Sequence, residues 1–231
     1  MVGIDLVLAL SLGFALGLEH ASDADHIVAI STIISENKNI KKAASLGIFW
    51  GLGHTITLLL VSIILLTFST SIPTNLVSFF EFSVGTILII LGVSVIKKGF
   101  DRLKHMHPHI HNNKTHIHSH DHSKTEEHSH KHKSFFVGMF HGLAGSATIM
   151  LLILPSLNSV FDGLAFILVF GIGSIGGMLI ISTLIGLPFA LSSKRFSTWN
   201  IRIRFIAGFI SILLGSIIIY QILQDNNILF F

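Results

Sequence analysis

Six long apolar stretches, separated by polar segments of which all but one are short, constrain this chain more than any other feature. They run over residues 4–35, 43–68, 76–97, 135–157, 161–191 and 203–223. A helix of about 20 apolar residues spans the hydrocarbon core of a bilayer, where only helices and closed barrels satisfy all backbone hydrogen bonds. Charged residues make up only 12% of the chain, so no separate soluble domain fits beside these stretches. The sequence predicts an all-α membrane protein with six transmembrane helices.

The two halves of the chain share landmarks in the same register. Residues 17–20 match 138–141 at an offset of 121, residues 51–54 match 171–174 at 120, and Phe82, Gly85, Leu91 and Gly92 match Phe205, Gly208, Leu214 and Gly215 at 123. Each half holds three spans, an odd number, so the halves insert with opposite orientation, as in many transporters. We predict two inverted three-helix repeats, over 1–97 and 134–231, joined by a loop over 98–133. The alternative is that the shared glycines only pack helices.

Lysine and arginine mark three alternate connections between the spans. All fifteen lie within residues 38–42, 97–133 and 194–204, and neither terminus carries any. Because basic loops stay on the cytoplasmic side, this distribution predicts a multi-pass protein of the cytoplasmic (inner) membrane with both termini outside. The positive charge therefore indicates the lipid bilayer as a partner and no nucleic acid.

Five ionisable residues interrupt the first apolar stretch: Glu19, His20, Asp23, Asp25 and His26. Each unpaired charge at the centre of a bilayer costs at least ~2.5–3.5 kcal/mol on the insertion scale, so the cluster requires compensation. A bound cation supplies it. Carboxylate oxygen combined with imidazole nitrogen suits a borderline divalent metal such as nickel, cobalt or zinc. The alternative is that the groups pair with one another at a vestibule that faces the cytoplasm.

A straight helix cannot bring all five groups to one ion. At about 100° per residue, Glu19, Asp23 and His26 fall within a stripe of about 60°, whereas Asp25 lies on the opposite side. Either the first helix is broken near residues 21–24, or the two histidines ligate with one carboxylate. In the second arrangement the other acidic groups orient the imidazoles or carry protons.

Two further histidines lie in membrane segments. His54 and His141 sit on the glycine landmarks of the repeat, and His141 occupies the position equivalent to His20. A lone histidine in a membrane helix is as often a hydrogen-bonding residue as a metal ligand. The predicted ligands are His20, Asp23, Asp25, His26 and His54, and the candidates for the path of the ion are Glu19, His141 and Ser174.

The connection between the third and fourth spans is rich in histidine. Its eleven histidines are His105, His107, His109, His111, His116, His118, His120, His122, His128, His130 and His132. The segment has no apolar periodicity, so we expect it to be disordered without metal. Alternating histidines lie on one side of an extended chain, where pairs or trios bind a divalent ion. We interpret the segment as a cytoplasmic metal buffer or sensor, and the alternative is a pH sensor.

Three motifs resemble those of the nickel/cobalt transporter family. Residues 20–27, His-Ala-Ser-Asp-Ala-Asp-His-Ile, resemble its H-A-x-D-A-D-H-I signature. Residues 49–55, Phe-Trp-Gly-Leu-Gly-His-Thr, resemble a second motif that contains L-G-H-S/T. Residues 141–147, His-Gly-Leu-Ala-Gly-Ser-Ala, are similar to a segment of the shorter, urease-accessory-type nickel permeases. The motifs lie in both halves, so the resemblance covers the whole chain.

The resemblance implies a secondary permease, not an enzyme, that moves Ni²⁺ or Co²⁺ across the cytoplasmic membrane without ATP. It implies that His20, Asp25 and His26 are essential, and that the metal is a transported substrate, with no cofactor tightly bound. The implied partner is a cytoplasmic nickel chaperone or a urease or hydrogenase maturation protein. The chain departs from the longer members at Glu19, where they have a basic residue, and in having six spans rather than eight. These departures leave metal selectivity and transport direction open.

Two alternative functions remain open on the sequence. Histidine-rich loops also occur in related exporters, so Ni²⁺ or Co²⁺ efflux is one alternative. The other is a membrane metal chaperone that delivers nickel to a urease or hydrogenase through the histidine-rich segment. An intramembrane metalloprotease is disfavoured because the chain has no H-E-x-x-H motif.

Overall fold

The computed structural model of the protein describes residues 6–35, 39–68, 73–104, 109–111, 114–116, 127–142, 144, 157, 159–195 and 197–225. These residues form seven helices: α1 (Leu6–His20), α2 (Ala24–Ile34), α3 (Ile40–Phe68), α4 (Thr74–Lys104), α5 (Glu127–His141), α6 (Val160–Arg195) and α7 (Ser197–Asp225). Leucine, isoleucine, phenylalanine and glycine dominate most of them. In lipid, the helix satisfies every backbone group within its own segment, so such sequences fold as helices.

Several of these helices can cross a membrane. Four are long and apolar enough by themselves, over Ile40–Phe68, Asn75–Asp101, Val160–Leu191 and Ile201–Asp225. α1 and α2 pass the same test together as a bent pair, with an angle of 53° between them. The first apolar stretch is therefore broken, as expected, and the protein is a multi-pass membrane protein. Of the predicted span over 135–157, α5 forms the beginning, and most of the remainder lies outside the described residues.

A short hairpin lies in the histidine-rich connection. Strands β1 (His109–His111) and β2 (Lys114–His116) pair antiparallel, with His109 opposite His116. α4 and α5 also extend into both ends of the predicted loop over 98–133. The described part of the connection thus differs from the expectation that it has no regular structure without metal. The alternation of histidine with isoleucine and threonine has the period of two that a strand requires, which accounts for the hairpin.

The short helix α2 lies among the long helices and contacts α3, α4, α5, α6 and α7. Around it, α3 packs against α5 and α6, α1 packs against α6, and α4 pairs with α7. Buried apolar side chains of α2, including Ile30, Ile33 and Ile34, join the largest core cluster. Large apolar side chains on the outer faces, such as Leu60, Ile90 and Leu184, are exposed from the bundle. The bundle thus buries α2 and turns its apolar outer surface toward lipid.

Glycines bring the helices together in reciprocal pairs. A Cβ added at Gly17 of α1 would overlap the backbone of Phe170 in α6, and one added at Gly138 of α5 would overlap the backbone of Trp50 in α3. The same reciprocity joins Gly173 to Phe14 and Gly53 to Phe135, and it joins Gly85 to Gly215 and Gly92 to Gly208 between α4 and α7. Small residues at these crossings allow backbones to touch, the mode of packing that membrane helices favour.

Candidate metal site

The break between α1 and α2 brings His20 and His26 together. Six residues apart on a straight helix, the two rings would point about 120° away from each other. In the structure the chain turns over residues 21–23, and the ring centroids lie 4.7 Å apart. Both side chains are buried, with residue exposures of 4% and 1%. The predicted break is therefore what assembles this pair of imidazoles.

α3 supplies a third imidazole to the pair. The His54 ring centroid lies 5.0 Å from that of His20 and 5.4 Å from that of His26, and the residue is completely buried. One nitrogen from each of the three rings lies within 4.8 Å of the other two. Three ligands that each lie about 2.1 Å from one ion are about 3.0–3.6 Å apart, so movements of less than about 1 Å close this His20–His26–His54 cluster around a metal.

Two carboxylates fix the orientation of the first two rings. His20 Nδ1 lies 2.8 Å from Asp23 Oδ2, and His26 Nδ1 lies 3.1 Å from Asp25 Oδ1. An ionised carboxylate only accepts hydrogen bonds, so Nδ1 donates in each pair and Nε2 of the neutral ring keeps its lone pair. Such a carboxylate behind an imidazole is the usual outer partner of a metal-binding histidine.

Asp23 pairs with the imidazole of His20 and does not cap its own helix. It occupies the N-cap position of α2, where an aspartate normally accepts a hydrogen bond from a backbone N–H of the first turn. Its side chain makes no such capping bond and is instead paired with His20. The local sequence therefore forgoes about 1 kcal/mol of helix capping in favour of orienting a ring.

Several buried nitrogens of these rings have no hydrogen-bond partner among the residues that the structure describes: Nε2 of His20, His26 and His141, and both ring nitrogens of His54. Leaving one such group buried and unsatisfied costs about 1–3 kcal/mol. Buried polar groups in proteins are otherwise nearly always satisfied. A set of lone pairs left open at one point inside a helix bundle is the arrangement that a metal ion completes.

His141 lies beside the cluster and contacts only part of it. Its ring centroid is 5.2 Å from that of His26, and its Nε2 is 4.0 Å from Asp25 Oδ2. Its Nδ1 donates to the carbonyl oxygen of Val137 at 3.0 Å, one turn earlier in α5. Asp25 therefore lies between two imidazoles, and His141 can act as a neighbouring station without belonging to the three-histidine cluster.

The remaining predicted residues are distributed differently. Glu19 is exposed and lies outside the groups of ligand atoms found among the described residues. Ser174 is fully buried, and its Oγ has no hydrogen-bond partner within the described part of the chain. Asp23, Asp25 and His26 form a second group of ligand atoms within 4.8 Å, with Asp23 half exposed.

The histidines of the connection are only partly described. His109, His111 and His116 belong to the hairpin, and His128, His130 and His132 belong to α5. The other five, His105, His107, His118, His120 and His122, lie outside the described residues.

Two aromatic residues that lie beside the imidazoles were not predicted from the sequence. Trp50 lies with its ring centroid 4.7 Å from that of His141, and Phe170 lies 5.6 Å from His20. The two residues occupy equivalent positions of the repeat, at an offset of 120, just before its second glycine landmark. That equivalence was the signal that could have identified them. They shield the imidazoles from water and lipid.

Comparison with known proteins identifies the family of the chain. The sequence profile of NicO, described as high-affinity nickel-transport protein, matches residues 6–230. The chain is 39% identical to the urease accessory protein UreH of Bacillus sp. (strain TB-90) over 219 residues, which are 95% of this chain and 93% of that protein. It is 31% identical to a high-affinity nickel transport protein of Cupriavidus necator over 78 residues, 33% of this chain and 22% of that protein. No solved structure matches the chain. With its profile matched over almost the full length, the chain belongs to the NicO family of high-affinity nickel-transport proteins.

Proposed function

We propose that the protein is a secondary permease that moves Ni²⁺ across the cytoplasmic membrane through the His20–His26–His54 cluster. Co²⁺ is the second substrate in order of preference. The observation that carries the proposal is the convergence of three buried imidazoles with open lone pairs beside two carboxylates, inside a membrane helix bundle. Imidazole nitrogen suits nickel, cobalt and zinc, whereas magnesium and calcium prefer oxygen ligands. Membership in a nickel-transport family supports nickel as the substrate.

The charge of the site fits a divalent ion. The carboxylates of Asp23 and Asp25 lie beside the imidazoles, and a divalent cation offsets their negative charge. An uncompensated charge inside the membrane costs several kcal/mol, so the site is more stable with such an ion than empty or with a monovalent one. This balance selects for charge, and the nitrogen ligands select among divalent ions.

Incomplete coordination favours release of the ion. Three imidazoles leave positions open on a metal that accepts four to six ligands, and structural metal sites are by contrast closed by protein ligands. Water or a carboxylate oxygen of Asp25 can occupy an open position. We infer that binding is transient, as transport requires, and that protonation of the imidazoles weakens it.

We further propose that the fold consists of two inverted three-helix repeats, over 1–97 and 134–231. The reciprocal contacts of Gly17 with Phe170 and of Gly138 with Trp50 support this arrangement, because each residue of one contact matches a residue of the other at an offset of 120 or 121. In such folds the substrate binds near the midplane between the repeats, and rocking of one repeat against the other exposes the site alternately. The basic connections would be cytoplasmic and both termini outside.

The histidine-rich connection would serve as a cytoplasmic buffer that receives nickel and passes it to a partner. The alternating histidines of the connection support this role, because imidazoles in that pattern suit a divalent ion. Similarity to a urease accessory protein makes a nickel chaperone or a maturation protein of urease or hydrogenase the proposed recipient.

Replacing residues 105–126 by a Gly-Ser linker of equal length should leave nickel transport nearly intact. The linker removes eight of the eleven histidines of the connection but stops before α5 begins at Glu127. We expect the initial rate of ⁶³Ni²⁺ uptake into proteoliposomes to stay within about twofold of the wild type, while the number of nickel ions bound per protein falls. The buffer is outside the permeation route, which is the physical reason.

His20→Ala is the inactive control for this experiment. Uptake is measured under an imposed pH gradient, with zinc, cobalt and manganese as competitors. A chaperone would lose its activity when the connection is replaced, and an exporter would move nickel preferentially from the cytoplasmic face. If the wild-type protein moves no divalent ion in either direction, the proposed function is wrong.

A further inference from the structure

A cavity of about 320 Å³ lies between α2, α4 and α7. Three carboxylates line it, from Asp25 of α2, Glu81 of α4 and Asp225 of α7, together with the amide of Gln221. Among the residues that the structure describes, this lining contains no lysine or arginine. Glu81 is half buried and lies seven residues inside α4, about 10 Å along the helix axis from its start. A carboxylate at that depth is costly in a membrane and commonly marks the pathway of an ion.

The inner wall of this cavity is part of the metal site. Asp25 accepts a hydrogen bond from His26 through Oδ1, and its Oδ2 lies 4.0 Å from Nε2 of His141. His26 and His141 are at most 1% exposed, and neither Nε2 has a hydrogen-bond partner within the described ranges. The cavity therefore ends on a carboxylate that contacts two buried imidazoles, and the His141 nitrogen nearest to that carboxylate has no hydrogen-bond partner in the described part of the chain.

The cavity also has the size of a hydrated cation. Six water molecules at about 30 Å³ each occupy about 180 Å³, so an ion with its first hydration shell fits in the available volume. Water ligands could be exchanged there for carboxylate oxygens before the imidazoles replace them.

We propose that this acidic cavity is the access route between one side of the membrane and the His20–His26–His54 cluster. Glu81 and Asp225 attract the hydrated divalent ion, and Asp25 transfers it to His26 and His141. The cavity lies where α4 begins and α7 ends, which the distribution of basic residues predicts to be the outer side. This inference rests on the proposed function for its cargo, and it adds the route and the residues that control capture at low concentration.

Neutralising the two outer carboxylates should impair capture of nickel and spare turnover. We expect the Glu81→Gln, Asp225→Asn double variant to raise KM for Ni²⁺ uptake by about tenfold while the maximal rate stays within about twofold, since acidic clefts raise local cation concentration by that order. Asp162→Asn is the matched control, because Asp162 lies at the start of α6 and outside this lining. A double variant that behaves like Asp162→Asn contradicts the proposal.

A labelling experiment tests the route without requiring transport. The chain has no cysteine, so Gln221→Cys places a single thiol in the cavity, and Gln224→Cys places one on the same helix outside the lining. The measured quantity is the labelling rate of a cationic methanethiosulfonate reagent divided by that of an anionic one of similar size. We expect this ratio to be about tenfold higher at position 221 than at position 224. Adding Glu81→Gln should reduce the preference at 221 and leave that at 224 unchanged, and Ni²⁺ should slow the labelling at 221.

The two experiments separate two kinds of failure. If the wild type moves no nickel but the charge preference at position 221 is present, the proposed function is wrong. The cavity would still attract cations. If nickel transport is normal but the charge preference is equal at both positions, the proposed access route is wrong. The proposal that the protein is a permease would still stand.

Discussion

Replacing His54 by leucine should abolish nickel transport while leaving the metal-free protein at least as thermally stable as the wild type. Neither ring nitrogen of His54 has a hydrogen-bond partner among the described residues, and the side chain is fully buried. Leucine has a similar size and removes an unsatisfied polar group whose burial costs about 1–3 kcal/mol. Loss of one imidazole leaves the ion with two imidazole ligands, so we expect the uptake rate to fall by about 100-fold or more. This effect is larger than the usual effect of losing a residue that only hydrogen-bonds to a ligand.

Uptake of ⁶³Ni²⁺ into proteoliposomes and the melting temperature of the same preparations measure the two effects together. His132→Leu is the matched control, because His132 is an exposed histidine of α5. A structural role for His54 predicts the opposite pattern, with lower stability and transport in proportion to folded protein. That result would remove His54 from the ligand set.

Replacing Gly17 by alanine should disrupt the assembly of the bundle. The added methyl group would overlap the backbone of Phe170, and it would lie 2.9 Å from the backbone nitrogen of Ser174. Backbone atoms cannot move aside as the end of a flexible side chain can, so α1 must separate from α6. Overpacking of this kind costs about 1–3 kcal/mol, and in a protein of this size we expect a fall in melting temperature of about 5 °C or more.

Gly176→Ala provides the control within the same interface. A Cβ at Gly176 meets only the end of the Leu18 side chain, at 3.7 Å, which is an ordinary contact. Size-exclusion profiles and melting temperatures of the two variants in detergent should therefore differ, with Gly176→Ala close to the wild type. Gly138→Ala should resemble Gly17→Ala, because its methyl group would overlap the backbone of Trp50. Equal stability of the Gly17 and Gly176 variants would contradict this account of the packing.

The sequence predicted the helical architecture, and it named three histidines that the structure brings together. Long apolar stretches satisfy their backbone hydrogen bonds in hydrocarbon as helices, so five of the six stretches correspond to α3, α4, α6 and α7 and to the bent pair of α1 and α2. The cost of ionisable groups in lipid drew attention to His20 and His26, and the helical period showed that a straight helix cannot bring all five ionisable groups of this stretch to one ion.

The sequence could not decide between the two arrangements of the first helix, and the structure contains features of both. The chain turns after His20, and Asp23 and Asp25 are each paired with an imidazole. Which atom a carboxylate contacts depends on the angle of the break, and the spacing of residues does not determine that angle. The exposure of Glu19 has the same origin, since it follows from the direction in which α1 ends.

Residues far apart in the chain were the hardest to predict. Glu81 and Asp225 reach the same cavity because α4 and α7 pair along their length, and neither residue stands in a motif. Trp50 and Phe170 look like ordinary apolar residues until the repeat places each against an imidazole. Tertiary packing creates such sites, whereas local periodicity reports only the face of a single helix.

Nickel K-edge X-ray absorption tests the central claim most directly. The suitable protein carries the linker in place of residues 105–126 and asparagine at His128, His130 and His132, so that His20, His26, His54 and His141 are its only histidines. Loaded with one equivalent of Ni²⁺, it should show multiple scattering from about three imidazoles, and His54→Leu should remove one of them. A first shell of oxygen without imidazole scattering, or an imidazole number unchanged by His54→Leu, would contradict the metal site.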